Sequence, residues 1–206
     1  MPFTLPSRIY PITDVSVSNL SHLEQFERLV EGGASVIQLR EKTASPRGFY
    51  EAAREVLSLA EKRGVEIIIN DRADIAFALK TGAHLGQDDL PPLAARKLLG
   101  KNAIIGFSTH NVEQAIAAAG LPVDYIAIGP VFATKTKQNP EPAVGLEGVE
   151  RVRKAVGNFP LVAIGGIRLE NAGDVFSAGA DSIAVINALL AEPDKIAEKM
   201  RRFLDL

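Results

Sequence analysis

The stretch LVAIGGIRLENAGDVFSAGADSIAVI (161–186) decides how the rest of the chain reads. It opens on an apolar run, Leu161–Ile164, too short for a helix and of the kind that forms a strand buried on both faces. Gly165 and Gly166 interrupt the run. Leu169–Ala178 is then amphipathic and helical in pattern, Gly179 stands where a helix C-cap belongs, and a second Val/Ile-rich run follows over Ser182–Ile186. Strand, helix and strand in so short a span make a parallel crossover unit, because two parallel strands need a connection long enough to return the chain to its starting end.

The same pattern extends in both directions. Strands are expected at Arg8–Ile12, Val36–Arg40, Glu66–Asn70, Ala83–Leu85, Ala103–Ser108, Tyr125–Gly129, Leu161–Ile164 and Ser182–Ile186. Helices are expected at Ser21–Glu31, Pro46–Arg63, Arg72–Lys80, Pro91–Leu99, Val112–Ala119, Gly148–Val156, Leu169–Ala178 and Pro193–Leu204. Glycines 32–33, 64, 82, 100, 120, 157 and 179 follow helices and are expected as left-handed caps. The phrases Gly-Gly-Ala-Ser (32–35), Thr-Gly-Ala-His (81–84) and Ala-Gly-Ala-Asp (178–181) read as one helix-to-strand turn used three times. Eight uninterrupted βα units are the number that closes a barrel, so the expected fold class is α/β, a single compact (β/α)8 TIM barrel forming one domain over 1–206. A doubly wound open sheet is the rival, but no Gly-x-Gly-x-x-Gly opens the first helix.

Composition narrows the function. A net charge of −2 gives no bulk attraction to nucleic acid or anionic membrane, and the absence of cysteine removes disulfides, thiolate metal sites and a cysteine nucleophile. No segment is long and apolar enough to span a bilayer, and no basic, then apolar, leader opens the chain; a cytoplasmic location is expected by default.

In a barrel the C-terminal strand ends form the active face. On the second strand Gln38, Arg40 and Lys42 alternate onto one face. Such cations need partners, either a bound anion or neighbouring carboxylates. The third strand ends in Asn70-Asp71-Arg72 and the fourth in Gly86-Gln87-Asp88-Asp89, so acids on adjacent strand ends form an oxygen-ligand site suited to Mg²⁺ with substrate phosphate; capping of the following helices is the alternative. Ser108 ends the fifth strand as a donor, Thr109 or Asn111 can cap the helix after it, and His84 and His110 have no partner evident from the sequence. The loop after the seventh strand carries Gly165-Gly166, and the eighth ends at Ile186-Asn187; this is the usual barrel position for binding phosphate with backbone N–H groups. The irregular stretch from Pro130 to Leu146 holds Thr134, Thr136 and Lys137 and can reach either site. There is no nucleophile–base–orienter set and no histidine cluster for zinc.

Taken in order, QLREK (38–42), NDR (70–72), HLGQDD (84–89), STH (108–110), GPVFATKTK (129–137), GLEG (145–148) and AIGGI (163–167) resemble the thiamine-phosphate synthase family. The resemblance implies a transferase that joins 4-amino-2-methyl-5-hydroxymethylpyrimidine diphosphate to 4-methyl-5-(2-phosphoethyl)thiazole, carboxylated or not, and releases diphosphate. It places Gln38, Arg40, Lys42, Asn70 and Lys137 around the diphosphate, Asp71 and Asp89 on Mg²⁺, and Ser108 beside the pyrimidine and diphosphate. It also places Thr134, Thr136, Gly166, Ile186 and Asn187 on the thiazole phosphate and ring, with Arg40, Lys42, Ser108 and Lys137 as the catalytic groups. Asn187 departs from the family's usual Ser, which keeps the backbone N–H and changes the side chain. The implied partners are two phosphorylated small molecules, without nucleic acid or membrane and with a homo-oligomer allowed. Two other readings are a thiazole phosphate tautomerase, whose relatives carry a histidine where this chain has Pro130 and tend to lose the metal-binding acids, and a non-catalytic phosphate-ligand sensor.

Overall fold

A computed structural model describes residues 7–134 and 141–206. The strands are β1 (Ile9–Thr13), β2 (Val36–Leu39), β3 (Glu66–Asn70), β4 (Gly82–Leu85), β5 (Ile105–Thr109), β6 (Tyr125–Ile128), β7 (Leu161–Ile164) and β8 (Ser182–Val185). All neighbours pair in parallel, in sequence order, and β8 returns to β1 through Ile9–Ile183, Tyr10–Ala184 and Pro11–Val185. The sheet therefore closes as a barrel, which rules out the open doubly wound alternative.

The helices are α1 (Val15–Ser18), α2 (His22–Glu31), α3 (Pro46–Arg63), α4 (Ala73–Leu79), α5 (Pro92–Leu99), α6 (Val112–Ala119), α7 (Gly145–Val156), α8 (Leu169–Ser177), α9 (Asn187–Leu190) and α10 (Ile196–Leu204), the last preceded by a 3-10 turn over Pro193–Lys195. Alternation divides each strand between two cores. Outward residues such as Ile37, Leu39, Ile67, Ile69, Ile126 and Ile183 pack under the helix ring. Inward residues, including Tyr10, Ile12, Val36, Ile68, Tyr125 and Val162, fill the lumen.

Several sequence expectations move. Helices α1 and α9 are each four residues long, too short for a periodicity over longer windows to mark them. Ser21 and Pro91 are caps and not first helical residues, and α7 begins three residues early, at Gly145. Gly82 lies inside β4, Gly32 and Gly120 are right-handed, and Gly100 and Gly157, with ψ of 175° and -123°, fall outside the left-handed helical region, so none of these five is a left-handed cap. The recurring turn is real but shifts register. Gly33 and Gly179 have positive φ, with N–H bonds running back three residues from each and five from the residue after it. In the second copy Lys80 takes that place, at φ 57°, and Gly82 has already entered the strand.

At the N-terminal face two clamps repeat. Arg96 of α5 donates to the carbonyls of Pro122 and Ala103 and to Asp124, whose carboxylate accepts the Ile105 N–H at 2.7 Å. Arg153 of α7 does the same for Gly179, Phe159 and Asp181, which accepts the Leu161 N–H at 2.8 Å. These clamps tie helix ends to strand starts on the face opposite the site.

Candidate active site

The C-terminal rim is assembled from strand ends. Gln38 lies on β2, and Arg40 and Lys42 follow just past its end at Leu39. Gln38 is buried in the lumen, where its Nε2 donates to Tyr10 Oη at 3.1 Å. Arg40 reaches the rim and pairs with Asp14 at the end of β1. Lys42, half exposed, pairs with Asp71. Both cations thus have carboxylate partners among the described residues, and an arriving anion would meet them already aligned. Asp14 was not singled out in the sequence; its position just past β1, opposite the end of β2, becomes meaningful only once β1 pairs with β2 through Thr13–Leu39.

Behind Arg40 lies a second network. Thr13 Oγ1 sits 2.8 Å from His22 Nδ1, and His22 Nε2 lies 3.3 Å from Glu41. Burial alone would raise the Glu41 carboxyl, but the N–H groups of Thr43 and Ala44, the Thr43 hydroxyl and His22 outweigh it and hold the group down at about 2. Thr13 also accepts the Arg40 N–H at 3.3 Å, so this network fixes the backbone from which Arg40 projects.

Asp71 and Asp89 face each other across the ends of β3 and β4. Neither caps a helix: α4 is capped at Arg72 and α5 at Pro91, without a side-chain bond in either case. Asp71 sits at φ 62°, a left-handed conformation that Asp tolerates better than most residues and that turns its carboxylate toward the rim side chains. Its N–H is held by the His84 carbonyl at 2.8 Å. Asp89 accepts the Gly86 N–H at 2.6 Å. Burial raises the Asp89 carboxyl above the usual carboxylate range; the Gly86 N–H opposes the rise, and the Asp71 carboxyl adds to it. Two adjacent carboxylates could supply two oxygen ligands to a divalent cation, and Mg²⁺ commonly takes one or two carboxylates with water and phosphate completing the shell. No group of three acidic or histidine side chains capable of holding a metal occurs among the described residues, so phosphate oxygens and water would have to fill the rest. Beside this pair the Asn70 amide is buried, and its Nδ2 has no hydrogen-bond partner among the described residues, which leaves a donor open.

Ser108, at the end of β5, lies 2.9 Å from His84 Nε2, while His84 Nδ1 lies 2.9 Å from Tyr125 Oη. Both histidines without an evident partner in the sequence therefore have one. His84 is buried, and burial brings it down to about 4, partly opposed by Asp71. His110 Nδ1 lies 2.6 Å from the Gly129 carbonyl oxygen and donates to it. Asn111, not Thr109, caps α6, accepting the Gln114 N–H.

On the other side of the rim Gly165 and Gly166 have φ of 105° and 65°. A Cβ on Gly165 would lie 2.5 Å from Pro130 Cβ, and one on Gly166 2.7 Å from Phe132 Cβ. The turn is glycine both for its conformation and because the loop after β6 lies against it, with Val131 and Phe132 donating to the carbonyls of Ile164 and Gly165. Next to it β8 ends, and α9 starts at Asn187; the first N–H groups turned back onto that helix are those of Leu189 and Leu190, on the Ile186 carbonyl. Thr134 ends the described part of the β6–α7 loop, and Thr136 and Lys137 lie outside the described residues.

Comparison with known proteins agrees with this geometry. A family model described as thiamine monophosphate synthase matches residues 9–189. A thiamine-phosphate synthase of Chloroflexus aurantiacus is 45% identical, over 92% of this chain and 88% of its own length. One of Methanospirillum hungatei is 46% identical over 96% of both. Among solved structures, a thiamine phosphate pyrophosphorylase from Pyrococcus furiosus superposes with a TM-score of 0.85 at 33% identity, covering 95% of this chain and 92% of that one.

Proposed function

Because the chain belongs to the thiamine monophosphate synthase family, we propose that it condenses hydroxymethylpyrimidine diphosphate with the phosphoethyl thiazole to give thiamine phosphate and diphosphate. The observation that carries this reading is the combination, on one rim, of a carboxylate couple paired with Lys42, of Arg40 held by Asp14, and of a separate glycine turn.

The chemistry asks for what this rim offers. The thiazole nitrogen attacks through a lone pair and carries no proton, so no general base is needed. As the C–O bond to diphosphate breaks, the aminopyrimidine stabilises positive charge on its methylene carbon, and the electron pair leaves on the diphosphate oxygen. Catalysis then consists of holding the two substrates in line and stabilising charge on the leaving group. Arg40, Lys42, Gln38 and Asn70 donate to the diphosphate, joined by Lys137 from the β6–α7 loop. Asp71 and Asp89 would hold Mg²⁺, which when bound would offset negative charge on the diphosphate. Their mutual proximity and the raised Asp89 carboxyl support this assignment, because a cation relieves that repulsion. Ser108 lies beside the pyrimidine and diphosphate. The Gly166 turn, Thr134, Thr136, Ile186 and Asn187 take the thiazole phosphate and ring, with the Asn187 backbone N–H available whatever its side chain.

No helix among the described residues is long and apolar enough to cross a membrane. Substrates bearing phosphates stay inside cells, so we place the protein in the cytoplasm as one barrel domain, free to self-associate.

The test is direct. Incubation with both substrates and Mg²⁺ yields thiamine phosphate, read by oxidation to a fluorescent thiochrome product. Conversion of one thiazole tautomer into another with no thiamine phosphate would assign the chain to isomerisation, and binding without turnover would assign it to ligand sensing.

A further inference from the structure

A row of polar side chains crosses the otherwise apolar lumen. Gln38 Nε2 meets Tyr10 Oη at 3.1 Å, Tyr10 Oη meets Tyr125 Oη at 2.9 Å, Tyr125 Oη meets His84 Nδ1 at 2.9 Å, and His84 Nε2 meets Ser108 Oγ at 2.9 Å. The five residues come from five different strands, β2, β1, β6, β4 and β5. All but Ser108 are buried. The row depends on Gly106, since a Cβ there would fall 2.0 Å from Tyr125 Cζ and 2.5 Å from His84 Nδ1. The His84 and Tyr125 rings stack with centroids 5.5 Å apart, and the Tyr10 and Tyr125 rings meet edge to face at 6.0 Å, so the hydroxyls are held by ring packing as well as by their bonds.

Each contact needs one hydrogen, and each hydroxyl has one to give. Gln38 supplies the first, from its amide. Tyr10 accepts it and keeps its own hydrogen for Tyr125, the one other hydrogen-bond contact its hydroxyl makes among the described residues. Tyr125 gives its hydrogen to His84 Nδ1, which is therefore an acceptor. The ring hydrogen stands on Nε2 and is given to Ser108. The Ser108 oxygen accepts it, so the serine hydrogen turns away from the lumen toward the rim.

We propose that Gln38, Tyr10, Tyr125 and His84 form a polarised row that fixes the Ser108 hydroxyl as a donor to the departing diphosphate. The inference rests on the reaction proposed above and adds to it Tyr10 and Tyr125 as positioning residues, which touch neither substrate's reacting bond. No proton moves along the row; it sets an orientation in advance, which is how a donor aimed at developing charge avoids reorganisation during the reaction. A serine free to rotate would spend part of its time donating back to His84.

The test reads the row before it reads turnover. In protein labelled with ¹⁵N-histidine and without substrate, two-bond N–H correlations report which ring nitrogen of His84 carries hydrogen; His84→Gln identifies its signals among those of the three histidines. The expected result is hydrogen on Nε2. Tyr125→Phe removes the donor to Nδ1, so the tautomers mix and kcat falls about tenfold, as for loss of roughly one hydrogen bond, while KM for the thiazole phosphate stays within about twofold. Tyr10→Phe, which leaves the Tyr125 hydroxyl in place, gives a smaller loss in the same direction and serves if the Tyr125 variant does not fold. In a Ser108→Ala background neither tyrosine substitution slows turnover further, because both act through that hydroxyl. Hydrogen on Nδ1 of His84 in the unsubstituted protein overturns the proposal, as does an equal slowing by the tyrosine variants with and without Ser108. Nε2–H with no thiamine phosphate formed would instead count against the reaction and leave the row standing.

Discussion

Replacing Gly166 by alanine probes the claim that the turn after β7 is a preformed phosphate cradle. At φ 65° an alanine pays the left-handed backbone cost of about 1–2 kcal/mol. Its Cβ would lie 2.7 Å from Phe132 Cβ, 2.8 Å from the Ala133 carbonyl oxygen and 3.1 Å from the Phe132 carbonyl carbon. Those separations fall well inside normal carbon contact of ~3.5–4.0 Å, and overpacking of this kind costs about 1–3 kcal/mol. Together the two effects amount to roughly 2–5 kcal/mol, which for a chain of this size lowers the melting temperature by about 4–20 °C without unfolding it. Any relief comes from displacing the Phe132–Ala133 segment, which shifts the backbone N–H groups assigned to the thiazole phosphate. KM for that substrate should then rise about tenfold, the equivalent of roughly one charge-assisted hydrogen bond. The assays are thermal unfolding and steady-state kinetics with the thiazole phosphate varied. Gly173→Ala is the control: it lies in α8 with no atom within 4 Å of the added Cβ, so it should stabilise by about 0.5–1 kcal/mol and leave KM alone. Gly166→Ala with unchanged melting temperature and unchanged KM would mean that the turn is no preformed cradle.

Other perturbations separate structure from chemistry. Asp89→Asn should lower turnover at least about a hundredfold, by analogy with loss of one group that stabilises transition-state charge. Its stability effect has the opposite sign: because the folded carboxyl is raised, Asp89 favours the fold when protonated and loses that contribution as pH rises above the ordinary Asp range, so the variant should equal or exceed the original near neutrality and lose that advantage in acid. For Glu41→Gln the sign reverses; the original carboxylate is held down at about 2, its contribution is present above the ordinary Glu value and vanishes as pH falls toward 2, so the melting-temperature gap should close over that range. Arg153→Ala, which strips donors from the Gly179 and Phe159 carbonyls at the far face, should cost about 1–3 kcal/mol in urea unfolding and leave KM and kcat of the folded fraction unchanged. Lys137→Ala should lower kcat with no change in melting temperature; a stability loss with normal turnover would make that lysine structural.

The fold was legible because closure of a barrel is written in repetition. Each Val/Ile run and each amphipathic stretch is a local signal, and eight of them in alternation leave few other solutions. The rim was legible in part for the same reason, since strand ends mark the active face and Arg40 and Lys42 lie just past the end of β2. What escaped the sequence depends on contacts between strands. Asp14 gains its role from lying opposite Arg40, and the link from Tyr10 to His84 by way of Tyr125 crosses the lumen between strands far apart in sequence. No spacing along one strand encodes which inward residues meet at the same height, because that follows from barrel stagger. Lys80 was missed for a local reason: a lysine in the left-handed region is held there by the helix-to-strand turn around it, against its own preference.

If the rim is divided into two unlike anion sites, titration calorimetry with inorganic diphosphate separates them. Heat of binding should require Mg²⁺, be lost in both Asp71→Asn and Asp89→Asn, and survive in Gly166→Ala. Binding that ignores Mg²⁺ and both aspartates, or that disappears in Gly166→Ala alone, would contradict that division.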